Sequence, residues 1–258
     1  MRFDVPSRMV VIGARGQMGR RFVTTFRRAG HRVEEFDHPL DADALPQAVG
    51  GADLVLLCVP VTAMREVVAV VAPHLSPETI LADICSLKIA PLEAMLAATH
   101  TPVVGTHPLF GPETAGPDLR VALVPGRDRK ALKDLGRLFR ALGFSTFTTT
   151  AEEHDQAMSY VQGLNFVTTV AYLCAVPPVR DMERFFTPSL ARRVDAAAKM
   201  INQDAELFTT LFEANPRSLE AVRLFRSYLN VAAGGDLELL SQKARLWWQE
   251  TRGEEEKK

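Results

Sequence analysis

The chain has 258 residues, 47% hydrophobic and 24% charged, with a formal net charge of -1. It is long enough to bury a sizeable core without metal or disulfide staples, as one large domain or two ordinary ones. The balanced charge excludes a basic nucleic-acid binder, a membrane-surface binder and a charge-rich disordered chain.

The first apolar run, residues 9–12, is too short for a signal-peptide core, so no export signal is expected. From residue 8 to about 150, runs rich in β-branched residues alternate with stretches of helical pattern. Strands are predicted at 9–12, 32–36, 54–59, 79–82, 103–106, 121–124 and 145–149, and helices at 18–29, 64–71, 91–98 and 130–142. That alternation predicts a parallel sheet covered by crossover helices.

After Thr150 the β-branched runs stop and the chain reads as helices separated by breakers. The shift predicts two domains, 1–150 and 151–258. Residues 158–176 are mostly apolar and nearly long enough to cross a bilayer. Ser159, Gln162, Asn165, Thr168 and Thr169 interrupt the run and Pro177-Pro178 end it, so it reads as a helix buried between domains or subunits. Asn215-Pro216 reads as an N-cap with proline at the first helical position, and Gly234-Gly235-Asp236 ends one helix and caps the next. Leu219, Val222, Phe225 and Leu229 share one face, as do Leu237, Leu240, Ala244 and Trp247. The tail from residue 252, RGEEEKK, reads as frayed.

Cys58, Cys85 and Cys174 stand singly in apolar surroundings, without CxxC or zinc spacing. A reducing cytoplasm and no metal are the expectation.

The run VVIGARGQMG places a glycine-rich turn between a buried strand and a helix. Such a turn brings the backbone close to a pyrophosphate, whose charge meets the unpaired N–H groups at the helix start. The predicted contacts are Gly13, Ala14, Arg15, Gly16, Gln17, Met18 and Gly19, with Ala14 where the first fingerprint glycine would stand. An acidic residue some 20 positions later should meet the adenosine ribose, and Asp37 fits. Its carboxylate would repel a 2'-phosphate, so NAD is expected over NADP. Val59 and Pro60, after the third strand, would lie beneath the cofactor. The fold expected is therefore a Rossmann-type dinucleotide-binding domain followed by an all-helical domain.

Two polar clusters follow later strands, DICSLK at 83–88 and GTHPLFGP at 105–112. Of six histidines, His107 alone combines a strand-end position with rigid proline and glycine neighbours. An imidazole that titrates at about 6.5 is largely neutral at cell pH and can accept a hydroxyl proton while hydride leaves the same carbon. Ser86 is placed to orient the imidazole and Lys88 to bind a carboxylate. Glu152, Glu153, His154 and Asp155 open the helical half, where acids suit the positive end of a helix; neither His154 nor Asp155 is assigned a catalytic role.

VIGARGQMGR, DICSLK, GTHPLFGPE and AEEHDQAMSYVQ together resemble the prephenate dehydrogenases of tyrosine biosynthesis, over nearly the whole chain. The resemblance implies a Rossmann domain, a helical domain through which two subunits dimerise, and NAD-dependent oxidative decarboxylation. By position, His107 looks like the catalytic histidine, Ser86 its hydrogen-bonding partner, and Lys88 a family lysine in the same loop. Several members place a substrate-binding histidine where this chain has Phe166, and a carboxylate-binding arginine falls on Lys199; Gln162 is the remaining substrate contact expected. Prephenate is the first expected substrate and arogenate the second. With no room for a fused mutase or regulatory domain, the chain is expected to be a monofunctional homodimer with a small-molecule substrate and neither nucleic-acid nor membrane partners. Two alternatives stay open, a β-hydroxyacid-type dehydrogenase sharing only the cofactor half and a catalytically silent NAD-binding protein.

Overall fold

A computed structural model describes residues 3–117, 119–177 and 181–252. The chain forms two compact units, Met1–Met158 and Ser159–Lys258. The division falls eight residues beyond the point where composition changes.

In the first unit β1 (Arg8–Ile12), α1 (Gln17–Arg28), β2 (Arg32–Phe36), α2 (Leu45–Gly50), β3 (Leu54–Leu57), α3 (Met64–Val71), β4 (Ile80–Asp83), α4 (Ile89–Ala98) and β5 (Val103–Pro108) build an alternating half. There follow β6 (Arg120–Arg127), α5 (Arg129–Ala141), β7 (Ser145–Thr148) and α6 (Ala151–Met158). The strands form one sheet in the order β2-β1-β3-β4-β5-β6-β7.

The central strands are apolar on both faces because both faces are covered. Along β1 and β3, Val10, Ile12, Val55 and Leu57 meet α2, α3 and α4, whereas Met9, Val11, Leu54 and Leu56 meet α1 and α5. This is the two-residue period of a strand expressed as two separate cores. Phe22 of α1, fully buried, anchors the second core with ring centroids 5.9 Å from Phe26 and 6.0 Å from Phe139. Burial of one such ring stabilises the fold by about 1.5–3 kcal/mol.

The sheet is not wholly parallel, as the alternating pattern had predicted. β6 runs antiparallel to β5, and β7 is parallel to β6. The reason is local: the described residues between β5 and β6 form no helix, and a parallel return needs a crossover of a dozen residues or more.

The second unit holds α7 (Asn165–Ala175), α8 (Pro188–Asn202), α9 (Ala205–Ala214), α10 (Ser218–Ala233) and α11 (Leu237–Arg252). The single helix predicted at 158–176 is instead broken: α6 ends at Met158 and a π-helical turn, Ser159–Leu164, precedes α7. α10 starts two residues later than the Asn-Pro signal implied. Asn215 Oδ1 accepts from Arg217 N–H at 3.1 Å and its carbonyl from Ser218 N–H at 3.0 Å, which makes a turn ahead of the helix. Asp236 caps α11 by accepting from Leu239 N–H at 3.4 Å. Leu219 and Leu229 of α10, and Leu237 and Trp247 of α11, are more than half exposed in the single chain. Pro178 and the tail beyond Arg252 lie outside the described residues. Among those residues no helix is long and apolar enough to cross a membrane.

Candidate active site

One register row crosses the sheet, Phe36–Ile12–Leu57–Asp83–Gly105. The glycine turn, Asp37, the loop after β4 and His107 all come just past that row, at the carboxyl ends of parallel strands. Chain order reverses between β1 and β3, and the crevice there is where open sheets of this kind bind ligands.

At the end of β1 the chain turns on Gly13, at φ +81°. A side chain is excluded there twice over, by that angle and because a Cβ would lie 2.3 Å from the Cys58 carbonyl oxygen. The N–H groups of Gly13 and Ala14 donate to the Phe36 carbonyl, tying the turn to β2. At Gly19 a Cβ would stand 2.1 Å from the Gly13 carbonyl oxygen, so α1 packs against the turn itself. Gly16 precedes α1, whose first turn has no acidic residue to compete with an anion. Asp37 accepts from Arg15 N–H at 2.7 Å and from His38 N–H at 2.9 Å, which holds its carboxylate at the crevice with lone pairs to spare.

A groove of about 410 Å³ follows, with Gly13, Gly16, Asp37, Val59 and Pro60 in its wall and apolar Leu40 and Val67 at one side. Helix start, carboxylate and apolar wall fit the phosphates, sugar and base of a dinucleotide. Not every predicted contact faces this groove. Ala14 and Gly19 are buried behind the turn, Met18 packs on the core under α1, and Gln17 lies in a separate concavity with Arg20 and Arg21. Arg15 meets Asp37 through its backbone N–H.

His107 ends β5, three strand spacings from β1, or roughly 14 Å along the same edge. The ring is only 4% exposed. Its Nδ1 lies 2.9 Å from His154 Nε2, with the ring planes 71° apart. His154 Nδ1 in turn lies 2.8 Å from Asp155 Oδ1. Asp155 also accepts from the backbone N–H groups of Lys88 at 2.7 Å and Ile89 at 3.0 Å, at the start of α4. Burial, the neighbouring His154 ring and the Lys88 ammonium hold the His107 pKa well below the ordinary histidine range. The imidazole is therefore neutral, and its Nε2 has no hydrogen-bond partner among the described residues.

Two expectations around this histidine need correction. Ser86 is half-buried and makes no hydrogen bond to His107; the histidine's partner is His154. Lys88 is not placed to bind a carboxylate of a substrate. It is fully buried, its ammonium paired with Asp83 and donating to the Thr106 carbonyl at 2.6 Å. Asp83 also accepts from Cys85 N–H at 2.9 Å and Thr106 N–H at 3.3 Å. The lysine thus locks the loop after β4 to the strand residue just before His107.

The loop after His107 is braced by α1. Arg21 Nη1 donates to the carbonyls of Gly111, Pro112 and Thr114 at 2.8–2.9 Å, while its guanidinium lies 4.6 Å from the Phe110 ring centroid. Burial pushes the Cys58 and Cys85 thiols up, which favours their protonated form.

In the second unit Lys199 is half exposed on α8, 3.8 Å from Asp204. Gln162 sits in the π-helical turn with its Oε1 buried and unpaired. Phe166 is buried and stacked on Phe208 with centroids 5.6 Å apart, so its position serves packing. Sequence reasoning missed His154 and Asp155. The signal was present, a histidine and an acid side by side in a motif already singled out, but spacing alone does not bring residue 154 to residue 107.

A family model described as the nucleotide-binding domain of prephenate dehydrogenase matches residues 29–133. The T-protein of Enterobacter agglomerans is 29% identical over 225 residues, covering 84% of this chain and 59% of that one. The chain spans 59% of the length of the curated T-proteins it matches. Synechocystis arogenate dehydrogenase superposes with a TM-score of 0.74 at 20% identity, over 96% of this chain and 99% of that one. Prephenate dehydrogenase from A. aeolicus, in complex with hydroxyphenyl propionate and NAD+, superposes with a TM-score of 0.73 at 19% identity, over 98% of each chain. The glycine turn, the strand-end histidine and these matches agree in likening the chain to the prephenate dehydrogenases, with residues 29–133 matched to their nucleotide-binding domain.

Proposed function

We propose that the chain is an NAD-dependent oxidoreductase that converts prephenate to 4-hydroxyphenylpyruvate by oxidative decarboxylation, with arogenate as the alternative substrate. The observation that carries this reading is a neutral histidine, His107, with a free Nε2 on the sheet edge that also bears the glycine-turn groove. NAD, when bound, supplies a hydride acceptor.

The chain's own residues do the rest. The glycine turn and the start of α1 meet the pyrophosphate, and Asp37 accepts from the ribose hydroxyls while repelling a 2'-phosphate. His107 Nε2 accepts the hydrogen of the ring 4-hydroxyl as hydride leaves the same carbon. With its basicity depressed, the imidazole shares that proton during the transfer; it does not remove it beforehand. Loss of the ring carboxylate as carbon dioxide makes the ring aromatic and the step effectively irreversible. Lys199 and Gln162 are the substrate contacts in this reading, and Ser86 lies in the loop after β4.

The exposed apolar residues of α10 and α11 support a homodimer formed by the helical unit. Unpaired cysteines suit a cytoplasmic place.

The test is NADH formation, followed by absorbance, with prephenate and arogenate in turn and with NAD or NADP. Turnover of prephenate with NAD is expected, and His107→Asn should lower kcat by about 10²- to 10⁴-fold with NAD affinity little changed. NAD binding without turnover of either compound would overturn the enzyme reading in favour of a silent nucleotide-binding protein.

A further inference from the structure

We infer that His154, held by Asp155, is a positioning residue for the reaction: it receives the Nδ1 proton of His107 and so fixes the tautomer whose Nε2 is free to accept. The inference rests on the reading of His107 as proton acceptor.

The proton positions follow from the fixed backbone donors on Asp155 together with a neutral His154. Backbone N–H groups only donate, so the Asp155 carboxylate must accept from Lys88 at Oδ1 and from Ile89 at Oδ2. The same carboxylate faces His154 Nδ1, which therefore carries a proton. Taking His154 as a neutral imidazole leaves its other nitrogen bare. His154 Nε2, bare, lies 2.9 Å from His107 Nδ1, and a contact that short between ring nitrogens needs a hydrogen, which only His107 can bring. The proton of His107 is thus committed to Nδ1, and Nε2 is left as an acceptor.

Packing alone would not select this arrangement. Burying two imidazoles and a carboxylate costs free energy that apolar side chains of the same volume would avoid, and such networks are kept where they fix a unique geometry. The dyad sits at α6, its carboxylate ties down the start of α4, and its imidazole touches the end of β5. Without it, the proton of His107 is free to occupy Nε2, and a ring in that form cannot accept from a substrate hydroxyl.

The experiment uses the full chain, labelled with ¹⁵N-histidine, alongside His154→Leu, His154→Gln and His107→Asn. In the unaltered protein, NMR should show His107 protonated at Nδ1 and bare at Nε2. His154→Leu should lose that signature and about tenfold to a thousandfold in kcat, with KM little changed. His154→Gln keeps an oxygen acceptor for His107 and a donor for Asp155, and should recover most of the loss. A wild-type spectrum with the proton on Nε2 overturns the inference even if His154→Leu does not fold. So does full kcat in His154→Leu with an unchanged His107 spectrum. Full turnover by His107→Asn would instead remove the underlying reading, which separates the two failures.

Discussion

Replacing Lys88 with methionine separates a substrate-binding lysine from a structural one. The ammonium is fully buried and bonded to Asp83 and to the Thr106 carbonyl. Methionine keeps most of the volume and removes the charge, leaving Asp83 buried with only the N–H groups of Cys85 and Thr106. Breaking a buried pair from one side costs about 3–5 kcal/mol, a large part of the roughly 5–15 kcal/mol that holds a typical protein folded. At about 2–4 °C per kcal/mol for a chain of this size, Tm should fall by roughly 6–20 °C. The assay is thermal unfolding of both proteins, with KM measured well below the variant's Tm. Adding Asp83→Asn to the variant should restore part of the lost stability by removing the stranded charge. An unchanged Tm together with a large rise in substrate KM would refute the structural reading and return Lys88 to the substrate.

Asp37→Ser should weaken NAD more than NADP, measured as the ratio of dissociation constants by fluorescence titration; an unchanged ratio would show that the 2'-position is read elsewhere. The depressed basicity of His107 also sets two pH responses. A base must be neutral to act, so kcat/KM should hold as pH falls through about 6.5 and drop only below it; half-maximal activity at or above that value contradicts the burial argument. For stability the sign is the same. The unfolded chain takes up a proton at about pH 6.5 that folded His107 refuses, so stability falls as pH drops below that value and is insensitive above it. His107→Asn should flatten that slope in urea titrations.

Much of the first unit was legible because its signals are local. The run LVLL predicts a strand covered on both faces, and GARGQMG predicts a turn whose glycines the packing of Cys58 and α1 requires. Asp37 was placed by counting from that turn. What spacing could not show is partnership across distance. Lys88 looked like a substrate ligand because a lysine in a loop is usually exposed, and only the fold brings Asp83 and Thr106 around it. His154 looked like the ordinary start of a helix, and only the placement of α6 beside β5 joins it to His107. The direction of β6 was missed because the alternating pattern encouraged a parallel count, although the connection ahead of it had no helical period. The break in the helix after Met158 was missed because a π-helical turn leaves hydrophobic periodicity nearly intact.

The proton chain of His107, His154 and Asp155 closes entirely before residue 159, within a single folding unit. The three groups are thereby encoded in one stretch of the gene, upstream of the helical unit. Codon changes downstream of Met158 therefore alter none of the three side chains in that chain of contacts.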